Sequence, residues 1–232
     1  MASTPGLARQ ATYLVPLMIA VTLFGFWPSY FAQLSETRLS VHLHSTLMIT
    51  WLAMLLTQAI LVRRGQIGPH RNIGRVSLAL APLMVVTGLF VTREFVGRSA
   101  SDLPRHALQI FTLSVCSILH FALTYGLAIC YRRRTDVHGR FMIATGLILL
   151  GPALLRVFSN WVTWTRDVAS SGHASLGALE LSAVALILID LRRGRVWAPY
   201  VVTLILFFCE HALFLRASDW GWWRRIALWM AA

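Results

Sequence analysis

Seven stretches of this chain are almost free of charge, and the charged residues gather in the short segments between them. A helix that crosses a hydrocarbon core about 30 Å thick needs roughly 20 mostly apolar residues. Runs at 11–34, 41–62, 73–96, 107–131, 139–164, 174–191 and 197–215 meet that length. They predict an all-α fold, a polytopic transmembrane bundle of seven helices, with residues 1–232 forming one integral membrane domain. Pro16, Pro28, Pro82 and Pro152 fall inside the runs. Such prolines kink a span without abolishing it, because neighbouring helices satisfy the freed backbone groups. Composition points the same way: 57% of the 232 residues are hydrophobic and only 13% are charged, whereas a soluble domain has about a quarter of its residues charged. The first run is too long for a signal-peptide core and has no A-x-A site before its polar flank, so it is expected to remain as a helix.

The net charge of +12 comes from 21 arginines and no lysine. On a soluble chain so much positive charge would suggest nucleic acid. Here the arginines lie between apolar runs, so the expected partner is the lipid bilayer, not nucleic acid. Arg63, Arg64, Arg71 and Arg75 follow the second run, Arg132, Arg133, Arg134 and Arg140 the fourth, and Arg192, Arg193 and Arg195 the sixth. The intervening connections hold fewer arginines and most acids: Glu36, Glu94, Asp102, Asp167 and Asp219. Loops rich in Lys and Arg stay in the cytoplasm, which predicts a cytoplasmic N-terminus and a periplasmic C-terminus in a bacterial cytoplasmic membrane. The stretch from Ser218, with Trp220, Trp222, Trp223 and Trp229, predicts a short interfacial helix that places indoles at headgroup depth. Cys116, Cys130 and Cys209 all lie in apolar runs without C-x-x-C spacing, which predicts buried, inert thiols.

Ionisable groups inside a membrane are costly unless paired or hydrated, which makes them functional candidates. The runs carry His44, His120, Arg156, Glu180, Glu210 and His211. Counted by helical rise from the arginine-rich side, His120 and Glu180 lie roughly 18 Å deep. Glu210 and His211 follow at roughly 20–24 Å, Arg156 at roughly 24 Å and His44 at roughly 28 Å. All share the outer half of the bilayer. On the second run His44, Met48, Trp51, Leu55 and Gln58 fall on one face, and His42 points elsewhere. Histidines beside carboxylates resemble a metal first shell. The competing reading is structural, with Glu180 pairing with Arg156 and Glu210 with a histidine. A second constellation is His70 and His138, each just before a run and each after an arginine cluster. No phosphate-cradling Gly loop, H-E-x-x-H or G-x-S-x-G occurs.

The segments Val41-His42-Leu43-His44, Pro69-His70-Arg71-Asn72-Ile73-Gly74-Arg75, His138-Gly139-Arg140-Phe141-Met142 and Pro152-Ala153-Leu154-Leu155-Arg156 form a set. Over about residues 40–160 they resemble a group of bacterial predicted multi-pass membrane proteins, a resemblance that implies a fold and no reaction. More distantly, the central helices are similar in plan to di-haem membrane cytochromes b of the ascorbate-reducible type. That likeness implies haem b held by an outer pair, His44 with His120, and an inner pair, His70 with His138.

Three functions are expected to compete. The first is a haem b membrane oxidoreductase or electron carrier, quinone-linked, in which Arg156 stabilises a propionate or reduced quinone and Glu180 and Glu210 relay protons. The second is a non-haem enzyme holding a transition metal such as Zn or Fe through His120, His211 and Glu180. The third is a transporter or an assembly partner of a respiratory complex.

Overall fold

The computed structural model describes residues 5–98 and 103–232; Asp102 lies outside the described residues. Seven helices are long and apolar enough to span a membrane: α1 (Pro5–Phe26), α2 (Leu39–Arg63), α3 (Ile67–Arg98), α4 (Arg105–Cys130), α5 (Thr135–Trp161), α6 (Val168–Arg192) and α7 (Ala198–Arg216). An eighth, α8 (Gly221–Ala231), is short and amphipathic. Each long helix packs on the next, so tight connections make an up-and-down bundle. The chain is a multi-pass membrane protein.

Helix α5 is the axis. In its apolar stretch 56% of residues are buried, against 22–33% in the other six spans, and it touches α1, α2, α4, α6 and α7. Around it lies a core containing Trp51, Leu55, Leu147, Ile148, Leu179 and Phe207. The Trp51 indole donates to Thr145 Oγ1 (3.2 Å), which satisfies its one polar atom in the core. Glycines let backbones meet: Gly25 of α1 has no side chain to strike the Ala153 carbonyl of α5, and Gly172 of α6 leaves room for the Phe214 ring of α7.

Several boundaries differ from expectation. α1 stops at Phe26, ahead of Pro28, and residues 31–36 form a 3-10 turn, so the first span ends sooner than position 34. α3 starts at Ile67, not near 73, since Pro69 fits a first turn whose N–H groups have no helical partner. α5 starts at Thr135, with Asp136 in the first turn where the helix dipole favours an acid. His70 and His138 therefore lie within the first turns of their helices and not ahead of them. α6 starts at Val168, not near 174, because Asp167 caps it by accepting from the Ser170 amide at 2.9 Å. That earlier start brings His173 into the span.

Two further expectations are corrected. Arg140 is not a loop cation. It is 4% exposed and makes a two-pronged pair with Asp190, at 2.8 Å from Nε and 2.7 Å from Nη2, with Trp197 against its guanidinium. Cys130 and Cys209 face outward, not into the core. At the other end α8 packs Ala227 onto a small core of Val96, Leu108 and Phe111. Trp223 Nε1 donates to Thr112 Oγ1 (2.8 Å), while Trp222 and Trp229 face out. The C-terminal helix is thus both packed and tryptophan-rimmed.

Candidate functional site

At the end of the bundle away from the arginine-rich connections, residues from all seven long helices wall a cavity of about 550 Å³. Most of its wall is apolar, including Met48, Leu52, Met84, Val85 and Leu176. Three of the expected site residues reach it: His44 from α2, Arg156 from α5 and Glu210 from α7. Pockets of this size with a few placed polar groups are typical small-molecule sites.

His44 is oriented by α3. Thr87 Oγ1 donates its hydroxyl proton to Leu83 O (2.8 Å), so at 3.0 Å it accepts from His44 Nδ1. The neutral imidazole then keeps an unprotonated Nε2, an acceptor or ligand nitrogen. His42 turns away and meets Tyr30 Oη at 3.0 Å. Arg156 donates from Nε to Ser29 Oγ (3.2 Å) and from Nη1 to Pro152 O (3.0 Å), and its guanidinium stacks 4.3 Å from the Phe26 ring centre. Glu180 is elsewhere, so the expected Arg156–Glu180 pair does not form. A guanidinium held by neutral groups at a cavity wall suits a carbonyl, carboxylate or phosphate oxygen on a ligand.

Two histidine–carboxylate clusters meet at α7. Glu210 Oε1 accepts from Ser117 Oγ at 2.7 Å, and Oε2 stands 3.6 Å from His120 Nδ1. This cluster is deeply buried, with side chains 3% and 4% exposed. One residue on, His211 turns about 100° around the helix and faces α6 instead. Its Nδ1 donates to Glu180 Oε1 at 2.8 Å, and its Nε2 is 2.9 Å from His173 Nδ1. Glu180, His211 and His173 thus form an unbroken chain of hydrogen bonds. With Glu180 ionised and both rings neutral, His173 Nδ1–H donates to His211 Nε2, and His173 Nε2 remains open.

His44 and His120 are not brought together. Ile118 and His44 crowd the same side of Gly88, and His120, two residues past Ile118, points roughly 200° away toward Phe207 and Glu210. The outer pair does not fit a haem clamped between two histidines. His70 and His138 lie in the first turns of α3 and α5, at the same end of the bundle. His138 Nδ1 donates to Ala128 O (2.8 Å) at the end of α4, which leaves Nε2 as the ligating nitrogen. A ring N–H given to a backbone carbonyl is the usual orientation of a metal-binding histidine, so His138 is oriented as an axial ligand would be. His120 and His211 belong to separate clusters, and both nitrogens of His211 are engaged. A metal held by His120, His211 and Glu180 would have to take the hydrogen-bonded chain apart. Among the described residues no group of three or more His, Cys, Asp and Glu side chains converges on one point.

Asp190 and His173 were missed by sequence reasoning. Asp190 lies next to Arg192 and Arg193 at the end of a run, which masks it as a boundary residue. His173 falls just outside a run bounded by hydropathy, although Asp167 with Ser170 is a legible helix start. No protein-family model, curated protein or solved structure matches the chain.

Proposed function

We propose that the protein is a quinone-linked oxidoreductase of a bacterial cytoplasmic membrane, with its arginine-rich end in the cytoplasm. The observation that carries this reading is the cavity: about 550 Å³ with a mostly apolar wall, into which Arg156, His44, Glu210 and, at the end of α3, Arg98 bring strongly polar groups. A quinone head is a flat apolar ring with a carbonyl oxygen at each end. The Arg156 guanidinium offers N–H groups to one oxygen. The His44 ring and Glu210 offer proton-exchanging groups to the rest of the head. Conversion of quinone to quinol takes up a pair of electrons and a pair of protons, so titratable groups at the wall serve the reaction as well as the binding.

His70 and His138 are the residues that would hold haem b, which when bound supplies one-electron transfer. His138 is set for that role by the Ala128 carbonyl. The cavity and this histidine pair lie at opposite ends of the bundle, an arrangement that suits electron entry at one face and quinone chemistry at the other.

Binding of a short-chain quinone, followed by equilibrium dialysis in detergent micelles, tests the cavity. Loss of a charge-assisted hydrogen bond in Arg156→Leu is expected to weaken affinity by about tenfold or more. Unchanged affinity in both Arg156→Leu and His44→Leu would remove quinone from the reading. The electron carrier is tested by the dithionite-reduced minus oxidised spectrum. Sharp α and β bands are expected, lost in His138→Ala and kept in His44→Ala. Bands that disappear with His44 instead would return the haem to the outer pair.

A further inference from the structure

Helices α4 and α7 run antiparallel and meet along a polar seam. Two contacts set their register: the Ser117–Glu210 hydrogen bond, and the His120 ring standing edge-on to Phe207 with centres 4.8 Å apart. One turn further, that register brings Thr124 opposite Thr203, and the next turn brings Tyr200 level with the last turn of α4. The spacing of three and four residues keeps each set on one face of its helix.

Along this seam Thr203 Oγ1 donates to Pro199 O (2.9 Å), but several buried polar atoms make no hydrogen bond. They are Glu210 Oε2 and His120 Nδ1, which stand 3.6 Å apart, with His120 Nε2, Thr124 Oγ1 and Tyr200 Oη. Thr124 and Tyr200 are 0% exposed, Glu210 4% and His120 5%. Buried polar groups in proteins are almost always hydrogen-bonded, to ordered water where no protein group serves. Polar atoms without a hydrogen bond on successive facing turns therefore mark a hydrated file more readily than a packing fault. The contrast with Trp51 is direct, since that equally buried indole is satisfied by Thr145. One end of the seam lies at the cavity, whose wall includes Ser117 and Glu210, and the other, at Tyr200 in the first turn of α7, lies at the arginine-rich end of the bundle. From Glu210 to Tyr200 the seam covers about 15 Å of helix.

We infer that this seam holds a file of water molecules connecting the cavity to the arginine-rich face for protons, with Glu210 and His120 as titrating stations and Thr124 and Tyr200 as hydroxyl relays. Each hop breaks one O–H or N–H bond and forms another on the next oxygen or nitrogen. A proton taken up near Tyr200 is matched by one released at Glu210, and no electrons move. The purpose of the file rests on the quinone reading, because quinone reduction at the cavity needs protons. Its existence does not.

The test is proton exchange with bulk water, read by magic-angle-spinning NMR of the whole protein in lipid bilayers. Histidine and tryptophan rings carry ¹⁵N and tyrosine rings ¹³C, with sequential assignment in the wild-type chain. Exposed His106 serves as the wet reference and the Trp51 indole as the dry one. Exchange at both His120 and Tyr200 close to the rate at His106 is the expected result. Exchange at both as slow as at Trp51 overturns the inference. A fast His120 with a slow Tyr200 also overturns it, because the seam is then wetted from the cavity alone. Water is the only probe, so a fast seam in a protein that binds no quinone removes the quinone reading and leaves the file standing.

Discussion

Glu210 and His211 are adjacent in the chain, yet they sit in two opposite kinds of polar site. Glu210 looks toward α4 and the cavity, and one of its oxygens and both nitrogens of its neighbour His120 make no hydrogen bond. His211 looks toward α6, where Glu180 and His173 engage both of its ring nitrogens. The saturated chain behaves like structure: its bonds are already made, and a ligand would have to break them. The unsaturated cluster retains bonding capacity beside a cavity, which is what binding and proton transfer require. The difference arises from the turn of about 100° between successive helical residues, which sends one side chain to each neighbouring helix.

Substitutions that remove one partner from a saturated site should do the most damage. At the extreme stands the Arg140–Asp190 pair. Asp190→Ala takes the two-pronged partner from a buried guanidinium, leaving Asp136 at 3.9 Å from Nη1, and is expected to cost about 3 kcal/mol, seen as a lower unfolding temperature in detergent. Replacing both partners with apolar residues (Arg140→Met with Asp190→Leu) should recover most of that loss. Equal damage from the single and double changes would mean that Asp190 acts by more than pairing.

Next comes Glu180→Ala, which deprives the His211 N–H of its acceptor at a cost of about 1–3 kcal/mol while sparing quinone binding. Glu210→Gln is the counterpart on the unsaturated side. The amide oxygen can still accept from Ser117, so stability should change by less than about 1 kcal/mol while quinone-dependent electron transfer is lost. If Glu180→Ala abolished turnover and Glu210→Gln did not, the assignment of the two sites would be reversed. The smallest effect belongs to Asp167, the exposed cap of α6. The Ser170 amide holds its carboxyl below the usual carboxylate range. Capping is therefore full above that range and fades as pH falls through the lowered value. Exchange of the Ser170 amide should speed up only at that acid end, and Asp167→Ala should abolish the dependence.

How much of this was legible in the residues differs between fold and site. Hydropathy marked every span, since each must present an apolar surface to lipid along its length. It misplaced the starts of α3, α5 and α6, because first turns tolerate polar residues, Pro69 and Asp136 among them, that a hydropathy count treats as loop. The same blindness hid His173. Asp190 was obscured by the arginines after it, although its true partner, Arg140, lies 50 positions away.

The sequence by itself determined that the chain is a bundle of seven membrane spans, that three alternate connections carry more arginines than those between them, and that His44, Arg156, Glu180, Glu210 and His211 fall inside the spans. Those properties depend on composition and on the constant rise of a helix, both local. Only the tertiary structure decided which groups meet: that Arg156 stacks on Phe26 without Glu180, that His44 and His120 part company, and that His211 joins Glu180 to His173. Partnership depends on how each helix is rotated about its axis against its neighbours, and that rotation is set by close contacts such as Gly25 on Ala153 and Gly172 on Phe214, between residues far apart in the chain.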